Sequence, residues 1–251
     1  MNKTRILNLD LLNIPMNEFL DVMKEGVLVT PNVDIIAQAQ HDRELYEVLD
    51  NSEYQVCDSR VIALAYRLLF FKKLHVIPGS SFFSHFYMYH KDNNDIRIFL
   101  LGALGDIAER AREQINSRTG REIVVDALSP SMGFVNKEEE NEEILKRIDE
   151  SGATVLLIGA GCPRDQQWIK KYSHRLSNVK LFMALGATID FEAGAKKRAP
   201  AWMQKLCIEW LYRLLQEPGR LAKRYLIKDP PFFWKLFKQR LGIYKNPFDN
   251  N

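Results

Sequence analysis

Six short apolar runs rich in β-branched residues recur along the chain, at 27–30, 54–57, 96–101, 123–125, 154–159 and 179–185. Apart from Gln55, Arg97 and Lys180 they are runs of consecutive apolar residues rather than alternating ones, the pattern of a strand covered on both faces. Between them lie longer stretches of helical period, such as Ile35/Ile36–Ala39, Val61–Leu64/Ala65–Leu68 and Ile144–Leu145–Ile148, the last closed by a Ser151-Gly152 stop. Buried strands alternating with helices predict an α/β fold: a Rossmann-like, largely parallel sheet with helices on both faces.

Five strands run straight into small or polar residues: VLVT-PN at Thr30–Asn32, YQVCDS at Asp58, IFLLGALGD at Gly102–Asp106, LLIGAGCP at Gly159–Pro163, and FMALGA at Gly186. Ligands of open parallel sheets bind beyond the carboxyl ends of the strands, so these junctions are predicted to line one site, with a nucleotide the natural occupant. The glycines at 102/105 and 159/161 complete neither G-x-G-x-x-G nor a Walker sequence, and by spacing alone they read as tight strand-to-helix turns.

After Gly194 the alternation stops. Residues 200–216 read as one helix carrying two apolar stripes, Trp202/Leu206/Trp210 and Met203/Cys207/Leu211/Leu215. Arg220 and Arg224 share a helical face, and Arg213 joins it if the helix continues past Pro218. The closing stretch PPFFWKLFKQRLG mixes Phe232, Phe233, Trp234 and Phe237 with Lys235, Lys238 and Arg240, a membrane-surface pattern. Residues 195–245 hold thirteen Lys and Arg against three carboxylates, a local net of +10; with +3 overall, the remainder carries −7. The predicted organisation is therefore an α/β body over residues 1–194 and a basic, amphipathic helical appendage over 195–251 that faces an anionic partner.

No apolar run approaches the roughly 20 residues of a bilayer span, and nothing near Met1 reads as a secretion signal. Cys57, Cys162 and Cys207 are odd in number and widely separated, which fits a reducing compartment and provides no metal-ligand spacing. A cytoplasmic chain attached peripherally to the inner face of the cell membrane is expected. Nucleic acid is not, because no RNP, KH or zinc pattern accompanies the basic tail. Homo-oligomerisation is left open.

Thr30-Pro31-Asn32, the Asp58 segment, Gly79-Ser80, Phe99-Leu100-Leu101-Gly102, Gly161-Cys162-Pro163 with Trp168, Asp190-Phe191-Glu192-Ala193-Gly194 and Arg198-Ala199-Pro200 through EWLYRLLQEPGR together resemble the WecG/TagA/CpsF glycosyltransferases, glycosyltransferase family 26. The resemblance covers roughly residues 27–226. It implies inverting transfer of a sugar, often of N-acetylmannosamine type, from a UDP-sugar to a polyprenyl-diphosphate-linked acceptor in surface polysaccharide or glycolipid synthesis. It also implies Thr30 and Asn32 as substrate-binding residues and Asp58 as the catalytic carboxylate. Two departures stand out. Ser59-Arg60 follow the aspartate where the family usually has Gly, and Asp165-Gln166 replace its Gln-Glu pair.

Inverting transfer is a single displacement that needs a base for the acceptor hydroxyl and countercharge for the departing diphosphate. Asp58 is the expected base; its structural alternative is a cap on the helix beginning at Ser59. Thr30 and Asn32 are expected to orient substrate, or else to form an ordinary turn about Pro31. No D-x-D pair occurs, so no metal and no cofactor is predicted. Backbone N–H groups near Gly102, Gly161 and Pro163 are expected to hold phosphate instead, with Arg164 and Gln166 beside them. Asp190 either binds nucleotide or caps a turn, and Trp168 reads as packing. Arg213, Arg220 and Arg224 are expected at lipid headgroups or at the acceptor diphosphate. A competing expectation, prompted by the two departures, is a non-catalytic UDP-sugar-binding sensor or assembly subunit.

Overall fold

The computed structural model describes residues 2–249, apart from the side chain of Arg220. The chain opens with a hairpin not anticipated from the sequence, β1 (Lys3–Ile6) and β2 (Leu9–Leu12), antiparallel with Ile6 opposite Leu9. Its strands alternate in the usual way, Thr4 and Ile6 inward and Lys3 and Arg5 outward. All six apolar runs then become strands of one sheet: β3 (Gly26–Val29), β4 (Tyr54–Gln55), β5 (Ile98–Gly102), β6 (Val124–Leu128), β7 (Val155–Gly159) and β8 (Leu181–Ala184). Their spatial order is β4-β3-β8-β7-β5-β6, and every neighbouring pair is parallel.

The helices are α1 (Met16–Val22), α2 (Val33–Gln38), α3 (Arg43–Asp50), α4 (Arg60–Phe70), α5 (Gly79–Tyr89), α6 (Ile107–Thr119), α7 (Glu138–Ser151), α8 (Arg164–Tyr172), α9 (Thr188–Glu192), α10 (Ala201–Lys205), α11 (Glu209–Gln216), α12 (Pro218–Lys223) and α13 (Pro230–Arg240). Two apolar layers account for the apolar strands. Phe99, Leu101, Leu156 and Ile158 face one layer with Ile36, Ile62, Ile144 and Trp168. Ile98, Leu100, Val155 and Leu157 face the other with Phe19, Phe82 and Ile115. Because successive strand residues point to opposite faces, only a run that is apolar at every position can serve both layers.

The stretch after Gly194 adds no strand, but it is not one helix over 200–216. Cys207 takes a left-handed conformation (φ 61°), and the Ile208 N–H reaches back to the Met203 carbonyl at 3.0 Å, closing α10 before α11 begins. A second break at Glu217 lets Pro218 start α12, where its missing N–H costs nothing. A π-helical turn over Arg224–Lys228 leads into α13. Arg213 therefore does not continue onto the helical face of Arg220 and Arg224, and the side chain of Arg220 lies outside the described residues.

α13 shares the core of the body. Phe232 and Leu236 are fully buried in the layer that holds Ile36 and Ile62. The Gln239 side chain accepts from the Leu7 N–H at 2.8 Å and donates to the Arg5 carbonyl at 2.9 Å, and Arg240 Nε donates to the Leu69 carbonyl at 2.8 Å. The boundary at 194/195 is thus a boundary in charge and in sheet membership, while packing runs across it. Among the described residues, no helix is long and apolar enough to cross a membrane.

Candidate active site

The carboxyl ends of β3 and β4 and the underside of the tail enclose a cavity of about 370 Å³. Asn32 enters it as the N-cap of α2, its side-chain oxygen accepting from the Ile35 N–H at 3.1 Å and from Arg224 Nη2 at 3.3 Å. Asp58 sits beside it, because its own N–H donates to the Pro31 carbonyl at 3.2 Å and ties the two loops together.

Asp58 does not cap α4. Ser59 does so, its hydroxyl accepting from the Ile62 N–H at 3.3 Å. The Asp58 carboxylate instead accepts at 2.9 Å from the N–H of Gly79, the first residue of α5. Burial pushes its pKa up; the Gly79 N–H pulls it back, as do Arg213 and Arg198, while Glu209 pushes upward, and the balance is a raised value. One face of the carboxylate still opens on the cavity.

Arg198 and Arg213 act on that carboxylate, and Arg224 lines the same cavity. Arg198 donates to the hydroxyls of Ser80 and Ser81, the latter at 3.0 Å. Arg213 is held at 2.8 Å by Glu209 on its own helix. Both guanidiniums lie 5.6 Å from the ring centre of Phe191, which orients them without neutralising them. Arg224 pairs with Asp34 at 3.5 Å and approaches Asp229 at 3.8 Å. Burial pushes the Asp229 carboxyl to about 6; Arg224 opposes that rise and Asp34 adds to it.

A smaller cavity of about 150 Å³ lies beyond β5, β6 and β7, between residues 102–104, residues 130–135, Gly159, Ala160 and Arg164. Its floor is built of glycine. A Cβ on Gly102 (φ +139°) would lie 2.6 Å from the Gly159 carbonyl oxygen, and one on Gly159 would lie 2.8 Å from that of Gly186. Gly161 (φ +86°) and Pro163 form the turn that delivers Arg164. Beneath it, buried Asp165 accepts from the Ala160 N–H at 2.5 Å, and the amides of Gly161 and Gly186 also face it. Burial still outweighs those donors and pushes its pKa up to about 7. Gln166 is buried alongside, its Oε1 without a hydrogen-bond partner.

The structure thus gathers Asn32, Asp58, Arg213 and Arg224 around the large cavity, and Gly102 and Arg164 around the small one. Thr30 is buried under α5, its hydroxyl 3.0 Å from where a Cβ of Gly79 would be, and lines neither cavity. Asp190 lies outside both, paired with Lys196 at 3.7 Å. Trp168 is packing, its indole N–H donating to Asn141 at 2.6 Å in the core. Sequence reading passed over the Gly79 amide, Ser80, Arg198, Glu209, Trp210 and Tyr225 as site residues. Pro78-Gly79 ahead of an aromatic run was the available signal for a helix start aimed at the site.

A family model described as "Glycosyl transferase WecG/TagA/CpsF family" matches residues 4–246. Among curated proteins, the chain is similar to two enzymes named N-acetylglucosaminyldiphosphoundecaprenol N-acetyl-beta-D-mannosaminyltransferase, from Staphylococcus aureus strains MRSA252 and MW2. Each is 27% identical over 256 residues, covering 97% of this chain and 95% of the relative.

Proposed function

The chain belongs to the WecG/TagA/CpsF glycosyltransferase family, and from that premise we propose that it is an inverting transferase moving an N-acetylmannosamine-type or related hexose from a UDP-sugar to a saccharide carried on polyprenyl diphosphate. The observation that carries this reading is the placement of Asp58, a carboxylate of raised pKa on the wall of a cavity that also holds Arg198, Arg213 and Arg224. In one displacement the acceptor hydroxyl oxygen bonds to the anomeric carbon, the carbon–oxygen bond to UDP breaks, and the hydroxyl proton passes to Asp58. Raising a carboxylate toward neutrality strengthens it as a base, so the burial that costs Asp58 solvation serves its chemistry. Guanidiniums supply countercharge to the departing diphosphate and to that of the acceptor. The smaller cavity, with Arg164 at its edge over strand ends that glycine lets close together, suits the nucleotide half of the donor. The acceptor's lipid is accommodated by peripheral membrane attachment, to which exposed Trp202, Leu206, Trp210 and Trp234 are suited.

Of the departures behind the sensor alternative, Ser59 caps α4 and Asp165 ties neighbouring loops together, uses that are compatible with turnover. The test is a panel of UDP-sugars incubated with polyprenyl-diphosphate-linked N-acetylglucosamine and the purified chain, with products identified by mass. A lipid-linked disaccharide together with released UDP is expected. Binding of UDP-sugar without release of UDP from any donor would favour the sensor.

A further inference from the structure

α4 carries a feature the site does not use. Leu64 and Leu68, with Phe71 just past the helix end, fall on one outward stripe and are 46%, 66% and 84% exposed, although the helix is part of the body and not of the tail. Phe71 is held out by the chain itself: it is the C-cap in a left-handed conformation (φ 56°), its N–H bonded to the Arg67 carbonyl. A bulky residue in that conformation, almost wholly in water, is costly without a partner.

α13 runs beside α4 in the same direction. Arg60 and Val61 at the start of α4 and Phe233 at the start of α13 line the large cavity, and Arg240 at the end of α13 bonds the Leu69 carbonyl at the end of α4. α13 has an outward stripe of its own, Trp234, Phe237 and Leu241, with the rings of Trp234 and Phe237 stacked. The charge pattern identifies the occupant. Residues 60–73 hold Arg60, Arg67, Lys72 and Lys73 and no carboxylate; residues 230–248 hold Lys235, Lys238, Arg240 and Lys245 and again none. Arg60 lines the cavity and Lys235 contacts His41, but the exposed Arg67, Lys72, Lys73, Arg240 and Lys245, interleaved with exposed apolar side chains, match an anionic lipid surface.

We propose that α4, with Phe71 at its tip, is a second membrane-contacting element that seats beside α13 on anionic phospholipid and turns the mouth of the cavity toward the bilayer. This rests on the reading that the acceptor is lipid-linked, but its test needs no sugar transfer. The full chain and a Leu64→Ser/Leu68→Ser/Phe71→Ser variant are co-sedimented with phosphatidylglycerol-rich and with pure phosphatidylcholine vesicles. The three side chains are solvent-exposed and outside both cavities, so folding and turnover on a short-chain, water-dispersed acceptor are expected to be unchanged. Binding to the anionic vesicles is expected to weaken on the order of tenfold or more, with three apolar groups withdrawn from the lipid. A Phe71→Trp variant is expected to gain blue-shifted emission on those vesicles, quenched by brominated lipid beyond the level of the unaltered chain.

Equal sedimentation of triple variant and unaltered chain, or emission from the Phe71→Trp variant that is indifferent to vesicles, overturns the proposal while leaving the transferase reading intact. An unaltered chain that binds neither vesicle removes both this surface and the peripheral attachment. A triple variant that changes oligomeric state but keeps its vesicle binding assigns the face to contact between copies and likewise overturns it.

Discussion

Two buried carboxylates behave differently because of what surrounds them. Asp58 opens on a cavity lined by arginines, whereas Asp165 is sealed under a loop with backbone amides as its company. Asp58→Asn keeps shape and hydrogen bonding and removes proton acceptance; kcat is expected to fall about 10²–10⁴-fold with UDP-sugar affinity little changed. Near-full turnover in a folded variant would remove Asp58 from its role. Since its pKa is raised, the acidic limb of kcat/KM is expected above the ordinary carboxylate range. Asp165 is expected to act on stability. Its folded value of about 7 lies above the 3.8 of a free aspartate, so the stability it contributes is complete below the lower value and is lost as pH rises through the upper one. Compared with Asp165→Asn in urea unfolding, the unaltered chain is expected to lose on the order of 2 kcal/mol between about pH 5 and pH 8. A pH-independent difference would mean that the amides hold Asp165 ionised throughout.

The strands were readable from sequence because the central ones, β5, β7 and β8, had to be apolar on both faces. The β1–β2 hairpin was missed because its outward residues, Lys3, Arg5 and Asp10, make four-residue strands look like polar leader. The tail misled in another way. Its period of 3.6 is real and its stop at Gln216 stands, but Cys207 breaks the helix where no glycine announces it, and the core role of Phe232 and Leu236 depends on partners roughly 170 to 200 residues earlier in the chain, such as Ile36 and Ile62. Burial makes α13 a stability element: Phe232→Ala is expected to cost about 3–5 kcal/mol and Leu236→Ala about 2–5 kcal/mol, read from denaturant midpoints. A chain ended at Gly194 is accordingly expected to expose one core layer and melt at lower temperature, as well as lose transfer to a lipid-linked acceptor. By contrast, Arg213→Ala/Arg224→Ala is expected to leave the melting temperature within a few degrees and lower turnover at least about tenfold. Comparable losses of stability in both cases would make the arginines structural.

At the scale of the molecule, sequence supplied the strand-end crevice and the charge asymmetry, and the resemblance supplied Asp58. Neither revealed that the crevice divides in two, because that depends on how loops 102–104 and 130–135 fold over separate strands from Asn32 and Asp58. With no D-x-D pair and several arginines at the larger cavity, turnover in excess EDTA is expected to equal that with added Mg²⁺ or Mn²⁺; loss on chelation and rescue by metal would overturn that expectation. The glycine floor has a consequence for how such a catalyst diversifies. Gly102 abuts Gly159 and Gly159 abuts Gly186, each closer than a methyl group allows, so one added carbon at Gly102 or Gly159 would wedge two adjacent strand ends apart. The foundation of the smaller cavity is closed to adjustment, so any retuning there must come from its walls, the loop over residues 130–135 and Arg164.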